Sequence, residues 1–321
     1  MSEAPSLPST VALELSSACS LTCSYCDKRN WPTFTGARAT PFLDLKLFRR
    51  LVDELAEHPS TAVTLSYEGE SLHHPEIADA LQYLREKAIR PWITTTLAGT
   101  TELLLANLLQ VCSTISVSLG LSEADFARSR GPAEAYSETV AKVARLLDLR
   151  RRAGGGAEIA VNATIRAGVG FDAPEVIEFI NRWHPVVDEI QLWLEMGFAD
   201  DVRYLHRAGI ERHLSRRRVC MQPFRYVAVL SDGSLSPCCQ TSRVRFTSIR
   251  ADAGLAAAVQ HPEYQAFLEM HRQRNLAGTP CMRCEAWLDD WLGDETISVG
   301  PKHTAILEGY TARIPCSSAA T

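Results

Sequence analysis

"SSACSLTCSYC", residues 16–26, places Cys19, Cys23 and Cys26 in a C-x3-C-x2-C spacing. Three thiolates this close suit a metal, yet closed zinc and iron–sulfur sites take four ligands. A cubane of four irons held by three thiolates keeps one iron open to an outside molecule, much as catalytic zinc keeps one position free. The stretch is polar and loop-like, which disfavours three cysteines packed as small hydrophobes. It follows the apolar run VALELSS (11–17) and precedes a long helical pattern. In parallel α/β architectures that junction, past the end of a strand, is where ligands gather.

Working outward, short β-rich runs alternate with helical periodicity. VALELSS (11–17), AVTLSYEG (62–69), PWITTTLAG (91–99), TISVSLG (114–120), EIAVNATIR (158–166) and VDEIQLWLE (187–195) read as strands. Helical spacing of apolar residues marks 42–58, 75–89, 101–112, 138–152 and 173–184. Asp172 is expected to N-cap the last of these, with Pro174 in its first turn. AGGGA (153–157) marks a helix-to-strand turn. Six β-α repeats imply parallel strands with right-handed crossovers, and periodicity alone leaves open sheet and barrel both available.

Composition sets the outer bounds. The 321 residues are 46% hydrophobic and 22% charged, ordinary for a globular chain with ample core material. A net charge of −5 argues against a general nucleic-acid or membrane-surface role. No run of apolar residues is long enough to span a membrane. The opening MSEAPSLPST has no secretory h-region, so a cytoplasmic location is expected, where ten cysteines serve metal ligation better than disulfides.

The three-cysteine loop, with Tyr25 before the third cysteine and a strand before the loop, resembles the radical S-adenosylmethionine (SAM) superfamily. The resemblance implies a partial (β/α)6 barrel over 11–196 and a [4Fe–4S] cluster on Cys19, Cys23 and Cys26. The open iron would chelate SAM, whose cleavage yields a 5′-deoxyadenosyl radical that abstracts a substrate hydrogen. A flavodoxin- or ferredoxin-type reductant is implied. SYEGESLHHPEI (66–77) is similar to the family's Gly-Gly-Glu segment, with Glu68 in place of the first glycine, then Gly69 and Glu70. Glu70 would accept a hydrogen bond from the SAM amino group. ITTTLAG (93–99) sits where relatives often carry Thr-Asn-Gly, which suggests a polar role for Thr95. SVSLGLSEADFARSRG (116–131) resembles the fourth-strand serine and its arginine-glycine. Ser118 would then touch SAM, and Arg130 would pair with its carboxylate or else be a solvated surface charge.

A second cysteine set follows a linker expected at 197–219. CMQPFRYVAVLSDGSLSPCC (220–239) flanks an Asp-Gly hairpin with Cys220 and Cys238, and TPCMRCEAW (279–287) adds Cys281 and Cys284. By spacing alone this suits a structural zinc or an iron–sulfur cluster. Together with the intervening helical HPEYQAFLEMHRQ, it resembles the SPASM/twitch subgroup in its shorter twitch form, over 220–293, with one auxiliary [4Fe–4S] cluster. A four-thiolate cluster has no vacant iron, so electron transfer is its natural role. Twitch-bearing dehydrogenases of the 2-deoxy-scyllo-inosamine type oxidise a hydroxyl of an amino sugar or aminocyclitol in antibiotic biosynthesis, and this is the implied activity. Glu195 and Arg166, at strand ends, are the base candidates.

Two enzymatic rivals remain. A radical epimerase needs a thiol hydrogen donor, for which Cys239 and Cys316 are candidates, while Cys112 reads as packed. A peptide-modifying or sulfatase-maturase-like enzyme is disfavoured by the short leader (1–10) and by the single four-cysteine set, both of which point to a small-molecule substrate. A zinc-stabilised binding protein is the non-enzymatic alternative. EAWLDDWLGDE (285–295) offers Glu285, Trp287, Asp290 and Trp291 to a cationic sugar, although an amphipathic helix with buried tryptophans is the simpler reading. The tail 294–321 carries no legible pattern.

Overall fold

The computed structural model describes residues 7–26, 40–166, 168–195, 218–239, 244–284, 287, 295–308 and 311–316. Six parallel strands form its centre: β1 (Thr10–Leu13), β2 (Ala62–Thr64), β3 (Trp92–Thr95), β4 (Thr114–Ser118), β5 (Glu158–Ile165) and β6 (Glu189–Leu194). They lie side by side in chain order. The crossovers use α1 (Leu45–Ala56), α2 (Ile77–Glu86), α3 (Glu102–Val111), α4 (Glu123–Ser129), α5 (Ala133–Ala153) and α6 (Pro174–Trp183). All six expected strands and all five expected helices are present, and α4 is an additional turn of helix capped by Ser122.

Local chemistry explains the boundaries. The Asp44 carboxylate accepts from the Lys46 and Leu47 amides at 3.0 and 2.9 Å and starts α1. Gly154, with φ +72°, closes α5 in the left-handed conformation. At α6 the N-cap is Ala173 rather than Asp172, and no side chain caps the helix; Pro174, which needs no amide partner, opens it instead.

The sheet's two faces differ in chemistry. Val11, Leu13, Val63, Ile93, Ile115, Val117, Ile159, Val161 and Ile190 pack with the helices in the main core. Their in-register neighbours Ala12, Thr64, Ser116, Ala160, Asn162 and Gln191 line the opposite face. That face carries small and polar side chains because it borders the site.

Both edges of the parallel core are extended. On one side β7 (Tyr226–Val229) runs parallel to β1, then turns into β8 (Ser234–Ser236) and β9 (Phe246–Arg250). On the other, β12 (Thr311–Pro315) pairs antiparallel with β6 and is followed outward by β11 (Thr304–Glu308) and β10 (Glu295–Ser298). The patternless tail is thus a meander that covers the β6 edge, where unpaired amides would otherwise remain. No described helix is long and apolar enough to cross a membrane.

Candidate functional site

The loop bearing Cys19, Cys23 and Cys26 leaves β1 and is pinned at several points. Ser17 donates its amide to Pro41 O at 2.8 Å, and Leu43 to Leu15 O at 2.9 Å, so the chain leaves and returns through one closed neck. The amides of Thr22 and Ser24 donate to the carbonyls of Arg130 and Ser129 at 3.0 and 2.7 Å, which seats the loop on the end of α4. All three cysteines are outside any disulfide and partly exposed. Tyr25 stacks under the Arg130 guanidinium at 5.4 Å. Burial raises the Tyr25 pKa, partly opposed by Arg130.

Gly69 packs flat against this loop. A Cβ there would lie 2.6 Å from Ser17 Cα and 2.7 Å from Ser16 C, so only glycine allows the approach. The next amide, of Glu70, donates to Ala18 O at 2.8 Å. The Glu70 carboxylate is buried and faces β3. It accepts from Thr95 Oγ1 at 2.8 Å and from both the Thr96 amide and Thr96 Oγ1 at 2.9 Å. Thr95 therefore serves as a partner of Glu70. His74 clamps the same turn, with Nε2 2.9 Å from Leu43 O and Nδ1 accepting from the Glu76 amide at 3.1 Å.

A hydrogen-bonded ladder crosses the polar face. Arg130 Nη1 donates to Ser118 Oγ at 2.7 Å, and Ser118 Oγ donates to Asn162 Oδ1 at 2.9 Å. Asn162 Nδ2 donates to Ser116 Oγ at 2.8 Å, which reaches Gln191 Oε1 at 2.8 Å. Arg130 is 4% exposed, so it is a buried guanidinium and the surface-charge reading falls. Its planar fork suits a carboxylate.

Two acids escaped the sequence reading. Asp125, buried, lies 3.0 Å from Arg166 Nε and accepts from the Leu121 amide at 3.2 Å. Arg166, offered by the sequence as a base candidate, is thus found as the ion-pair partner of Asp125. Glu14 is fully buried and accepts from the Ser231 amide at 2.9 Å, joining β1 to the hairpin turn. An acid inside an apolar strand run, LELS, was the available signal. Glu195 is buried at the end of β6, its amide bonded to Ile165 O at 2.8 Å.

Cys220, Cys281 and Cys284 are partly exposed and Cys238 is buried, none of them in a disulfide. The register places Cys238 two residues beyond Ser236, which pairs with Ala228, the partner of Ala12. It therefore lies toward the start of β1, whereas the first set lies past its end. The two sets are separated along the strand by roughly 10 Å or more. Near Cys238, burial raises the Tyr226 pKa well above the usual tyrosine value, reinforced by Cys239, Cys238, Glu14 and Glu68. Among the described residues no three Cys, His, Asp or Glu side chains are drawn together tightly enough to hold a metal ion. The donor chemistry fits iron–sulfur ligation: seven cysteines outside any disulfide in two groups, three on a polar loop and four along 220–284.

Cys316 is corrected. Its amide bonds to Asp188 O at 2.9 Å, at the start of β6, and its thiol is buried with its pKa pushed up to about 12 by burial. It lies at the end of the strands remote from the cysteine loop, where it cannot donate hydrogen to a substrate there. Cys112 is buried likewise, its pKa also pushed up to about 12. Cys239 is exposed, its Sγ 3.4 Å from Gln222 Oε1. Trp287 is packed in the core at 4% exposure, so its ring is not an open face for a sugar. Glu285, Asp290 and Trp291 lie outside the described residues.

Residues 220–285 match the SPASM iron-sulfur cluster-binding domain. The fold is that of the radical SAM enzymes, a mixed α/β partial barrel followed by a SPASM/twitch-type cluster domain. Among solved structures, Streptococcus suis SuiB bound to S-adenosylmethionine superposes with a TM-score of 0.61 at 14% identity, covering 88% of this chain and 72% of SuiB. BtrN in complex with AdoMet and 2-DOIA gives 0.53 at 15% identity, covering 87% of this chain and 94% of BtrN. The AdoMet-bound anSMEcpe gives 0.59 at 12% identity, covering 82% and 83%. No curated protein matches the sequence.

Proposed function

We propose that this protein is a radical SAM dehydrogenase that oxidises a secondary alcohol of an amino sugar or aminocyclitol to the ketone. The observation that supports the proposal is the SPASM match over residues 220–285, the stretch that includes Cys220 and Cys238 around the hairpin and Cys281 and Cys284 beyond the following helix. When bound, SAM at the Cys19, Cys23 and Cys26 cluster supplies a radical that takes one hydrogen atom, and the auxiliary [4Fe–4S] cluster supplies an acceptor for one electron. The chain does the rest. Arg130, presented by Ser118, orients the SAM carboxylate, while Gly69 and Glu70 shape the wall opposite. Glu195 takes the hydroxyl proton at the end of β6. Glu14 and Glu68, both close enough to act on Tyr226 beside Cys238, give this side of the site acidic character, which suits an amine-bearing substrate. BtrN, whose structure holds AdoMet with 2-DOIA, supports a small substrate. SuiB with its precursor peptide and anSMEcpe with a Cp18Cys peptide mark the competing substrate class. A flavodoxin- or ferredoxin-type reductant in a reducing cytosol would deliver the first electron.

Anaerobic reconstitution followed by incubation with amino sugars and aminocyclitols tests this. A product two hydrogens lighter, formed with 5′-deoxyadenosine, is expected. Unchanged mass with one solvent deuterium, abolished in Cys239→Ala, would make the exposed Cys239 a hydrogen donor and the enzyme an epimerase. Turnover of peptides alone, or one zinc and no iron, would overturn the proposal.

A further inference from the structure

Tyr67 ties the loop carrying Gly69 and Glu70 to the hairpin carrying Cys238. Its hydroxyl lies 2.9 Å from Ser236 Oγ and 3.1 Å from the Cys238 carbonyl oxygen. The Cys238 carbonyl can only accept, so the phenol's single proton is directed to it, with Ser236 Oγ, itself 2.8 Å from Val244 O, as the second, shared partner. The phenol ring packs on Ala12, Tyr226, Ala228 and Leu230, a small apolar cluster on the polar face of the sheet. One end of this residue thus belongs to the Glu70 loop, and the other to the peptide that presents a thiol of the second set.

We propose that Tyr67 is a positioning residue for the auxiliary cluster, its hydroxyl locking the Cys238 peptide and so fixing that cluster against the loop beside SAM. This rests on the reading that the four cysteines hold a cluster. Hydrogen bonds to the peptides behind metal ligands orient the ligand and tune a cluster's potential, and their loss typically costs 10- to 100-fold in affinity or activity.

Tyr67→Phe keeps the ring and its packing and removes the donor. In reconstituted protein, redox titration followed by electron paramagnetic resonance should show the auxiliary cluster's potential and g values moved, with those of the three-cysteine cluster unchanged. In the apoprotein, alkylation of Cys238, read by mass spectrometry, should accelerate about fivefold, the worth of one hydrogen bond. Identical spectra, potential and alkylation rate in the variant would overturn the proposal. So would an equal shift of both clusters accompanied by a large fall in melting temperature, since that reports general loosening. Iron content of the wild type, measured first, separates the two ideas: about four irons rather than eight sinks the cluster reading. Alkylation in the apoprotein still decides whether Tyr67 holds Cys238.

Discussion

Gly69→Ala should damage the three-cysteine loop selectively, and the structure allows the damage to be sized. The added Cβ would fall on Ser16 O, 2.6 Å from Ser17 Cα and 2.7 Å from Ser16 C. Every one of these atoms is backbone, so no flexible side-chain end can give way. Overpacking of this kind costs about 1–3 kcal/mol. Separating the strands also endangers the bond from the Glu70 amide to Ala18 O, worth about 1 kcal/mol more. A total of about 3 kcal/mol, against an unfolding entropy near 0.67 kcal/mol/K for a chain of this length, lowers the melting temperature by about 4–5 °C. The displacement falls two to three residues before Cys19, and misplacement by about 1 Å can cost 100-fold in rate. The assay is apoprotein melting together with 5′-deoxyadenosine formation after reconstitution. Gly131→Ala is the control, because its Cβ would meet only the flexible Leu21 Cδ2 at 3.2 Å. A Gly69→Ala protein that melts and cleaves SAM like the wild type would refute the argument that backbone contact at this glycine holds the loop.

Other expectations concern separate parts of the molecule. Arg130→Gln should raise the Kd for SAM at least tenfold by isothermal titration, because a buried guanidinium paired with a carboxylate is worth about 1.5–3 kcal/mol; an unchanged Kd would remove Arg130 from the cofactor site. Cys281→Ser with Cys284→Ser should reduce iron from about eight to about four per chain and abolish ketone formation while SAM cleavage persists; retention of the full iron content would place the second ligand set elsewhere. Cys112 and Cys316 should resist alkylation at pH 8 in the folded apoprotein while Cys239 reacts, as mass mapping will show. The sign of the linked stability follows from burial. Their folded pKa values, about 12, lie above the unfolded thiol value. Their stabilising effect is full below about pH 8.5 and is lost toward pH 12, by about 1.4 kcal/mol per pH unit for each thiol. Denaturation midpoints that stay flat over that window in the wild type would contradict it.

Much of this molecule is written in short-range patterns. The alternation of Val11, Leu13 and Ile115, Val117 and the helical spacing in α1 and α6 record which side of each element meets the core, and that information is complete within a dozen residues. Cysteine spacing is likewise local, which is why both candidate ligand sets could be read from it. Glu70, Ser118 and Arg130 were singled out because short motifs around them resemble those of the radical SAM superfamily. Only the tertiary structure could decide the rest. The parallel pairing of β7 with β1, the β12 strand on β6, the Asp125–Arg166 pair and the reach of Tyr67 to Cys238 each join residues tens to hundreds of positions apart. Strand partners are chosen by which edge is open and which face is buried once the whole sheet exists, and no periodicity within a segment encodes that. Cys316 shows the difference plainly: one thiol in a patternless tail could have been anywhere, until pairing with the start of β6 placed it away from the chemistry.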